Sequence, residues 1–100
     1  MIYYVDIDET ICEYPEVREY SLAVPIEENI AKVNKLYEDG NTIVYWTARG
    51  STTGIDWTDV TGGQLKRWGA KYHELRLGKP HYDVFICDKA MNTKDFFGNE

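Results

Sequence analysis

The stretch that decides the fold is Ile2-Tyr-Tyr-Val-Asp-Ile-Asp-Glu-Thr10, in which an apolar run rich in β-forming residues passes directly into carboxylates. Residues 2–7 lack the strict alternation of a half-buried strand. We therefore expect a strand that is covered on both faces, at the centre of a parallel sheet. A charged side chain inside such a strand is costly to bury unless it is paired or bound to a metal. Asp6 is accordingly the first candidate for a functional residue.

Outside this stretch, helices alternate with strands. Apolar residues at helical spacing predict a helix from Pro25 to about Asp39, which Gly40 ends. The segment from Thr47 to Thr58 is rich in Gly, Ser and Thr, which predicts a loop. The remaining predicted elements are strands at Thr42–Trp46, Tyr72–Leu75 and Asp83–Cys87 and helices at Thr61–Trp68 and Thr93–Phe97. This alternation is typical of an α/β fold with a parallel sheet and right-handed crossovers.

Length and composition limit the functions. The 100 residues are enough for one domain, which we expect to span residues 1–100. The net charge is −6 and no basic cluster exceeds the pair Lys66-Arg67, which argues against a nucleic-acid partner. No apolar run approaches the ~20 residues of a membrane span. Cys12 and Cys87 lack CxxC spacing and no signal peptide precedes the first strand, which predicts a cytoplasmic protein.

Polar residues follow each apolar strand. They are Asp6, Asp8 and Thr10 after the first strand, Thr47, Ala48 and Arg49 after the second, and Asp88 after the last, with Lys79 just before the last strand. Ligands of open α/β sheets bind at the carboxyl ends of the strands. One crevice is therefore expected to collect carboxylates, a hydroxyl group and cations.

This set of residues predicts phosphoryl chemistry. Asp6, Asp8 and Asp88 would repel one another unless a cation joined them, and oxygen ligands suit Mg²⁺. With magnesium and Lys79 screening a phosphate dianion, ionised Asp6 could attack phosphorus without a base. Asp8 could protonate the leaving oxygen and later take a proton from water. Thr47 and backbone N–H groups would hold the phosphoryl oxygens.

Four residues are candidate substrate contacts: Thr10, Ala48, Arg49 and His73. His81 is expected at the surface, and among the tryptophans only Trp57, in the polar loop, is a candidate for the pocket. Taken alone, each residue of this set also has a structural explanation. Asp8 could cap a turn, for example, and Arg49 could pair with a surface acid. The ordered arrangement of the set favours chemistry over these explanations.

The motif order resembles that of the haloacid dehalogenase superfamily: a hydrophobic strand with Asp-x-Asp-x-Thr at positions 6–10, a strand with Thr47, then Lys79, then a strand with Asp88. Within that superfamily the chain looks like the small phosphatases associated with capsular polysaccharide and surface-sugar biosynthesis. The segments that carry this likeness are YWTARGSTTGIDW at 45–57, WGAKYHELRLGKP at 68–80 and DKAMNTKDFF at 88–97.

The resemblance implies a three-layer Rossmann-like domain without a cap domain. It also implies a magnesium-dependent phosphomonoester hydrolase that forms an aspartyl-phosphate intermediate on a small phosphorylated sugar or polyol. Asp6 would be the nucleophile and Asp8 the general acid and base, and Thr47 and Lys79 match the family's other two motifs. The metal would use Asp6, the carbonyl of Asp8 and an acidic residue after the last strand. A cap-less site is open, so loops or a second subunit of a homo-oligomer would complete it.

The chain departs from the family pattern at two positions. Glu9 stands where Gly is common, and Cys87 stands where an acidic residue often precedes another. The spacing of Asp88 and Asn92 fits an alternative form of the metal motif, which favours Asp88 as the ligand.

Two other functions stay open. A phospho-receiver signalling module also binds magnesium with acids at strand ends, but its phospho-accepting Asp ends the third strand, where this chain has Tyr72-His73-Glu74. The second alternative, suggested by Cys87, is a catalytically weakened relative that binds phosphorylated ligands.

Overall fold

The computed structural model describes residues 1–98, which form strands β1 to β5 and helices α1 to α3. The strands are β1 (Ile2–Val5), β2 (Cys12–Glu13), β3 (Val24–Pro25), β4 (Thr42–Trp46) and β5 (Glu74–Arg76), and the helices are α1 (Glu27–Glu38), α2 (Thr58–Arg67) and α3 (Thr93–Phe97). The domain predicted over residues 1–100 extends two residues beyond this described part. Within residues 1–98, no helix is long and apolar enough to cross a bilayer.

Strands β1, β4 and β5 form a parallel sheet in the order β1-β4-β5. Ile2 lies opposite Thr42, and Trp46 lies opposite Arg76. The expected α/β fold with a parallel sheet is confirmed, and it is consistent with a Rossmann-like arrangement. Strands β2 and β3 form a separate antiparallel pair, which the sequence analysis did not predict.

The core lies on one face of the sheet. Side chains of the three parallel strands contact side chains of all three helices there: Tyr3, Val5, Ile43, Tyr45 and Leu75 from the strands and Ile30, Val33, Leu65 and Phe97 from the helices. Right-handed crossovers that advance in one direction across a sheet place their helices on the same face. The core side chains of the three helices thus lie against this face, and the expected three-layer arrangement stays a prediction.

Strand β1 lies at an edge of this sheet, so the expectation of a central strand covered on both faces is wrong. Ile2 is 69% exposed and Tyr4 is 52% exposed, whereas Tyr3 and Val5 contact the core. The strand ends at Val5, two residues earlier than predicted. The chain then turns, and the carbonyl of Ile7 accepts the N–H groups of the residues three and four positions later.

The predicted strand Asp83–Cys87 is not formed. Its apolar side chains face solvent, with Val84 73% exposed, Phe85 53% and Ile86 92%. A β-prone run becomes a strand only when another strand pairs with its backbone, and within residues 1–98 this run has no such partner.

The helices lie close to their predicted positions. Helix α1 ends before Gly40, whose positive φ of 96° suits glycine. Helix α2 begins at Thr58, three residues before the predicted start, and Asp56 accepts the Thr58 N–H at 2.9 Å. Helix α3 has the predicted bounds, and the Asn92 side chain caps it by accepting the N–H of Lys94.

Candidate active site

The carboxyl ends of β1 and β4 lie side by side, because the two strands are parallel neighbours. Asp6 follows β1 and Thr47 follows β4, so both reach the same edge of the sheet. A cavity of about 430 Å³ opens at this edge. Its walls are Asp6, Asp8, Arg18, Tyr20, Thr47, Ala48, Arg49, Gly50, Thr52, Thr53, Ile55, Trp57 and His81.

Asp6 is held by a backbone N–H group and a cation. Its Oδ1 accepts the N–H of Ile7 at 2.9 Å, and its Oδ2 lies 3.6 Å from the ammonium nitrogen of Lys79. The Asp6 side chain keeps 42% of its surface exposed, so one face of the carboxylate is open to a ligand. Burial raises the pKa of Asp6, and the positive charge of Lys79 offsets that rise only in part.

Lys79 reaches Asp6 because its backbone is fixed to the loop after β4. The N–H of Lys79 donates to the carbonyl of Thr47 at 3.1 Å, and the Ser51 hydroxyl donates to the carbonyl of Lys79 at 2.6 Å. Its side chain is only 14% exposed, and the ammonium group lies 5.7 Å from the centre of the Trp46 ring. This packing holds the cation at the sheet edge.

Asp8 lies in the same cavity wall but its oxygens are already occupied. The buried guanidinium of Arg49 donates to both carboxylate oxygens, at 2.8 Å from NH2 and 3.1 Å from Nε, and the hydroxyl of Tyr14 donates to Oδ1. Burial alone would raise the pKa of Asp8, but the hydrogen bonds from Arg49 and Tyr14 outweigh it and leave that pKa below its ordinary value. Asp8 is therefore an ionised carboxylate at neutral pH.

Thr47 and Ala48 lie in the cavity wall as predicted. Thr47 is almost completely buried, and its hydroxyl accepts the N–H of Arg49 at 3.1 Å. This turn bends the chain after β4 into the cavity wall. Thr47 therefore lines the cavity at the same sheet edge as Asp6.

Two predicted substrate contacts lie elsewhere. Thr10 is buried and its hydroxyl is bonded to that of Thr93, 2.9 Å away, on α3 rather than in the cavity. His73 precedes β5 at the amino end of the sheet, where its Nδ1 accepts the N–H of Ile43. Because a strand rises about 3.3 Å per residue, the four residues from Ile43 to Thr47 separate His73 from the cavity by roughly 13 Å. Neither residue lines the cavity that opens at Asp6.

Asp88 does not join Asp6 and Asp8, so the predicted group of three carboxylates is not assembled. Asp88 follows the exposed run 83–87, and its carboxylate accepts a hydrogen bond from the thiol of Cys87. The expectation failed because it required that run to be a strand of the sheet. Asn92, the other candidate at this motif, caps α3.

The oxygen atoms at the cavity, in their observed positions, do not fit the predicted magnesium site. Magnesium takes six oxygen ligands in near-octahedral geometry. Among the predicted ligands, the carboxylate oxygens of Asp6 meet the Ile7 N–H and Lys79, and Asp88 does not lie in the cavity wall with Asp6 and Asp8. Across residues 1–98, no three His, Cys, Asp or Glu side chains are grouped as metal ligands. The magnesium requirement therefore stays a prediction.

Several wall residues were missed or undervalued by the sequence analysis. Tyr20 and Trp57 meet edge to face with ring centres 5.1 Å apart, and Arg18 and His81 complete that side of the cavity. Tyr14 was also missed, although it donates to Asp8. Only Trp57 had a signal in the sequence, an aromatic residue in a polar loop. Tyr14, Arg18 and Tyr20 lie between β2 and β3, and His81 lies between β5 and α3. The sequence pattern does not define the path of either connection.

The fold is similar to that of the crystal structure of an MCSG target from Vibrio cholerae. The TM-score is 0.84 at 24% sequence identity, and the match covers 99% of this chain and 89% of that chain. At this identity the likeness shows the fold alone. No protein-family model matches the chain. No curated protein is significantly similar to it in sequence.

Proposed function

We propose that the chain is a phosphomonoester hydrolase in which Asp6 attacks phosphorus and forms an aspartyl-phosphate intermediate. One observation carries this proposal: a half-exposed carboxylate at the sheet edge, 3.6 Å from a mostly buried ammonium group, faces an open cavity. A carboxylate is already a nucleophile and needs no base to activate it. A fixed cation beside it offsets the repulsion between the carboxylate and a phosphate dianion.

In the first step, Asp6 Oδ2 forms a bond to phosphorus and the bond between phosphorus and the ester oxygen breaks. The electron pair of that bond leaves with the ester oxygen, which takes the proton that Asp8 accepted in the preceding turnover. Lys79 Nζ lies where it would bind both the nucleophile and a phosphoryl oxygen. The hydroxyl of Thr47 and the N–H groups of the loop after β4 would bind the other phosphoryl oxygens.

In the second step, a water molecule attacks the phosphorus of the aspartyl-phosphate, and the bond to Asp6 breaks to restore the carboxylate. The water gives up a proton, which ionised Asp8 is in the right state to accept. That proton can pass to the leaving oxygen of the next substrate. Because its lowered pKa leaves Asp8 mostly ionised between turnovers, good leaving groups should react faster than alkoxides.

The finer assignments rest on the sequence resemblance. We propose membership of the haloacid dehalogenase superfamily without a cap domain, and a small phosphorylated sugar or polyol as the substrate. A cytoplasmic location and completion of the open cavity by a second copy of the chain belong to the same proposal. A magnesium requirement belongs to it as well, although the donor positions do not by themselves supply a site.

Phosphate release from a library of phosphorylated metabolites, measured with and without Mg²⁺, tests the proposal. We expect release from at least one sugar or polyol phosphate, and trapping of a labelled phosphoryl group on Asp6 after acid quench. Release without any labelled protein would favour direct attack by water and would overturn the role of Asp6.

A second candidate function is a phosphate-binding relative with little turnover. The occupied oxygens of Asp8 favour it, because a carboxylate with three hydrogen-bond donors has little freedom to transfer protons. Tight binding of the phosphorylated metabolites without phosphate release would identify this function.

A phospho-receiver fits less well, because the third parallel strand, β5, ends at Arg76 rather than at an aspartate. A long-lived phosphoryl group on the protein would be its signature.

A further inference from the structure

Arg49 lies in the turn after β4, where a cation could meet a phosphate directly. Its side chain is instead completely buried, with 0% exposure. Nε and NH2 donate to Asp8, at 3.1 Å to Oδ2 and 2.8 Å to Oδ1. NH1 donates to Thr61 Oγ1 at 3.1 Å and to Gln64 Oε1 at 2.6 Å. Each of the three guanidinium nitrogens therefore has protein acceptors already.

The two acceptors on α2 are buried polar side chains. Thr61 and Gln64 are one helical turn apart on the buried side of α2, the same side that presents Leu65 to the core. Buried polar side chains require partners, and both find one in the guanidinium of Arg49. Gln64 also donates from Nε2 to the carbonyl of Tyr20 at 2.6 Å. The network thus joins α2 to a wall of the cavity.

On the other side of Arg49, the carboxylate of Asp8 is fixed from several directions. Besides the two bonds from Arg49, it accepts the hydroxyl of Tyr14 and, at 3.5 Å, the thiol of Cys12. Its side chain is 12% exposed, against 42% for Asp6. Asp8 is therefore oriented by the protein, while Asp6 is left open to a ligand.

We infer that Arg49 is a positioning residue rather than a substrate contact: it holds the Asp8 carboxylate in one orientation at the cavity wall, and α2 holds the guanidinium through Thr61 and Gln64. The catalytic consequence rests on the proposed function, in which Asp8 transfers protons. A bidentate guanidinium fixes both the position and the plane of a carboxylate. Lysine keeps the charge but cannot reproduce that fork.

The kinetic test compares an alkyl phosphate with an activated aryl phosphate. In Arg49→Lys, we expect kcat for the alkyl phosphate to fall about 10²-fold, because a misplaced acid or base costs about that much. The aryl phosphate should lose less than about fivefold, since its leaving group needs little protonation. KM should stay within about threefold. An equal loss on both substrates with a raised KM would show direct phosphate binding and overturn the inference.

Three further variants make the test specific. Thr61→Val preserves the shape of the side chain and removes one acceptor of Arg49, so it should show the same dependence on leaving group with a loss of about threefold to tenfold. Arg67→Lys, on the exposed side of α2, is the matched control and should retain wild-type rates. In an Asp8→Asn background, Arg49→Lys should cost nothing more. A full additional loss there would mean that Arg49 does not act through Asp8.

A measurement that does not depend on enzymatic activity separates this inference from the proposed function. In ¹⁵N NMR spectra of the full chain, the buried Arg49 Nε–H should give a slowly exchanging signal that shifts in Asp8→Asn and in Thr61→Val. Inorganic phosphate should leave it unmoved. A signal that shifts with phosphate and ignores Asp8→Asn would overturn the inference. If the wild-type chain released no phosphate from any ester, the proposed function would fail, and this signal would still decide whether Arg49 holds Asp8.

Discussion

Residues 2–8 and residues 83–88 have the same pattern in the sequence, an apolar β-prone run that leads into aspartate, but they have different structures. The first run forms β1 beside β4 and delivers Asp6 to the cavity. The second forms no strand, and Ile86 within it is 92% exposed. The difference lies in their surroundings rather than in their composition.

Contacts with neighbouring strands and helices explain why the first run forms a strand and the second does not. In β1, Tyr3 pairs with Ile43 across the ladder and its ring meets Phe96 of α3, with ring centres 6.4 Å apart. The run 83–87 has neither a ladder nor a buried face within the described part of the chain. Strand propensity reflects packing against neighbours more than an intrinsic preference of the backbone. An aspartate therefore becomes a site residue only where its strand has been placed.

The sharpest test of the first region is Asp6→Asn. The amide is nearly isosteric but a poor nucleophile, so phosphate release should fall by roughly 10³-fold or more. Steady-state phosphate release measures this, and circular dichroism should show an unchanged fold. Activity within tenfold of wild type would remove Asp6 from the mechanism.

Lys79→Met should reduce kcat/KM by about 10²-fold, because the variant keeps the aliphatic stem and loses the charge beside Asp6. The charge of Lys79 lowers the pKa of Asp6 against the effect of burial. Without it that pKa rises, so the acidic limb of the pH–rate profile, below which Asp6 is protonated, should move to higher pH.

The matched control for that variant is Lys89→Met, in the exposed turn at the end of the second region. It should leave both the rate and the profile unchanged. A Lys79→Met profile that coincides with wild type would place Lys79 outside the electrostatics of the site.

The stability of the two regions can be compared with one substitution at two isoleucines. Ile7 is fully buried after β1, so Ile7→Ala should lower the free energy of unfolding by about 2–5 kcal/mol. Ile86→Ala removes an exposed side chain and should change it by less than about 0.5 kcal/mol. Urea denaturation measures both. A large loss at Ile86 would mean that the second run is buried in solution, in the full chain or between copies.

The smallest effect is expected for Asp88→Ala. Because the structure does not place Asp88 with Asp6 and Asp8, the rate and the midpoint of a magnesium titration should change less than about threefold. The family resemblance predicts the opposite, loss of activity together with the magnesium requirement. That outcome would show that residues 83–88 join the sheet in the active state, and Cys87→Asp should then tighten magnesium binding.

Local signals in the sequence were sufficient for the elements that depend on neighbours in the chain. The apolar spacing of α1, its end before Gly40 and the bounds of α3 are local properties, and the structure confirms them. The parallel sheet was predictable because strands alternate with helices. Asp6 and Thr47 could be placed at one edge because parallel strands present their carboxyl ends together, and Lys79 because a short turn at Gly78 and Pro80 could hold its ammonium group over the same edge.

Tertiary structure decided whatever depends on partners distant in sequence. The sequence alone determined an α/β chain with Asp6, Thr47 and Lys79 at one sheet edge. Only the fold decided that Arg49 is buried against Asp8, because that outcome depends on Thr61 and Gln64 of α2 as acceptors. Only the fold left residues 83–88 outside the sheet. A strand is stabilised by backbone hydrogen bonds to a neighbouring strand and by a buried face. The pattern of residues within the run does not specify whether such neighbours are within reach.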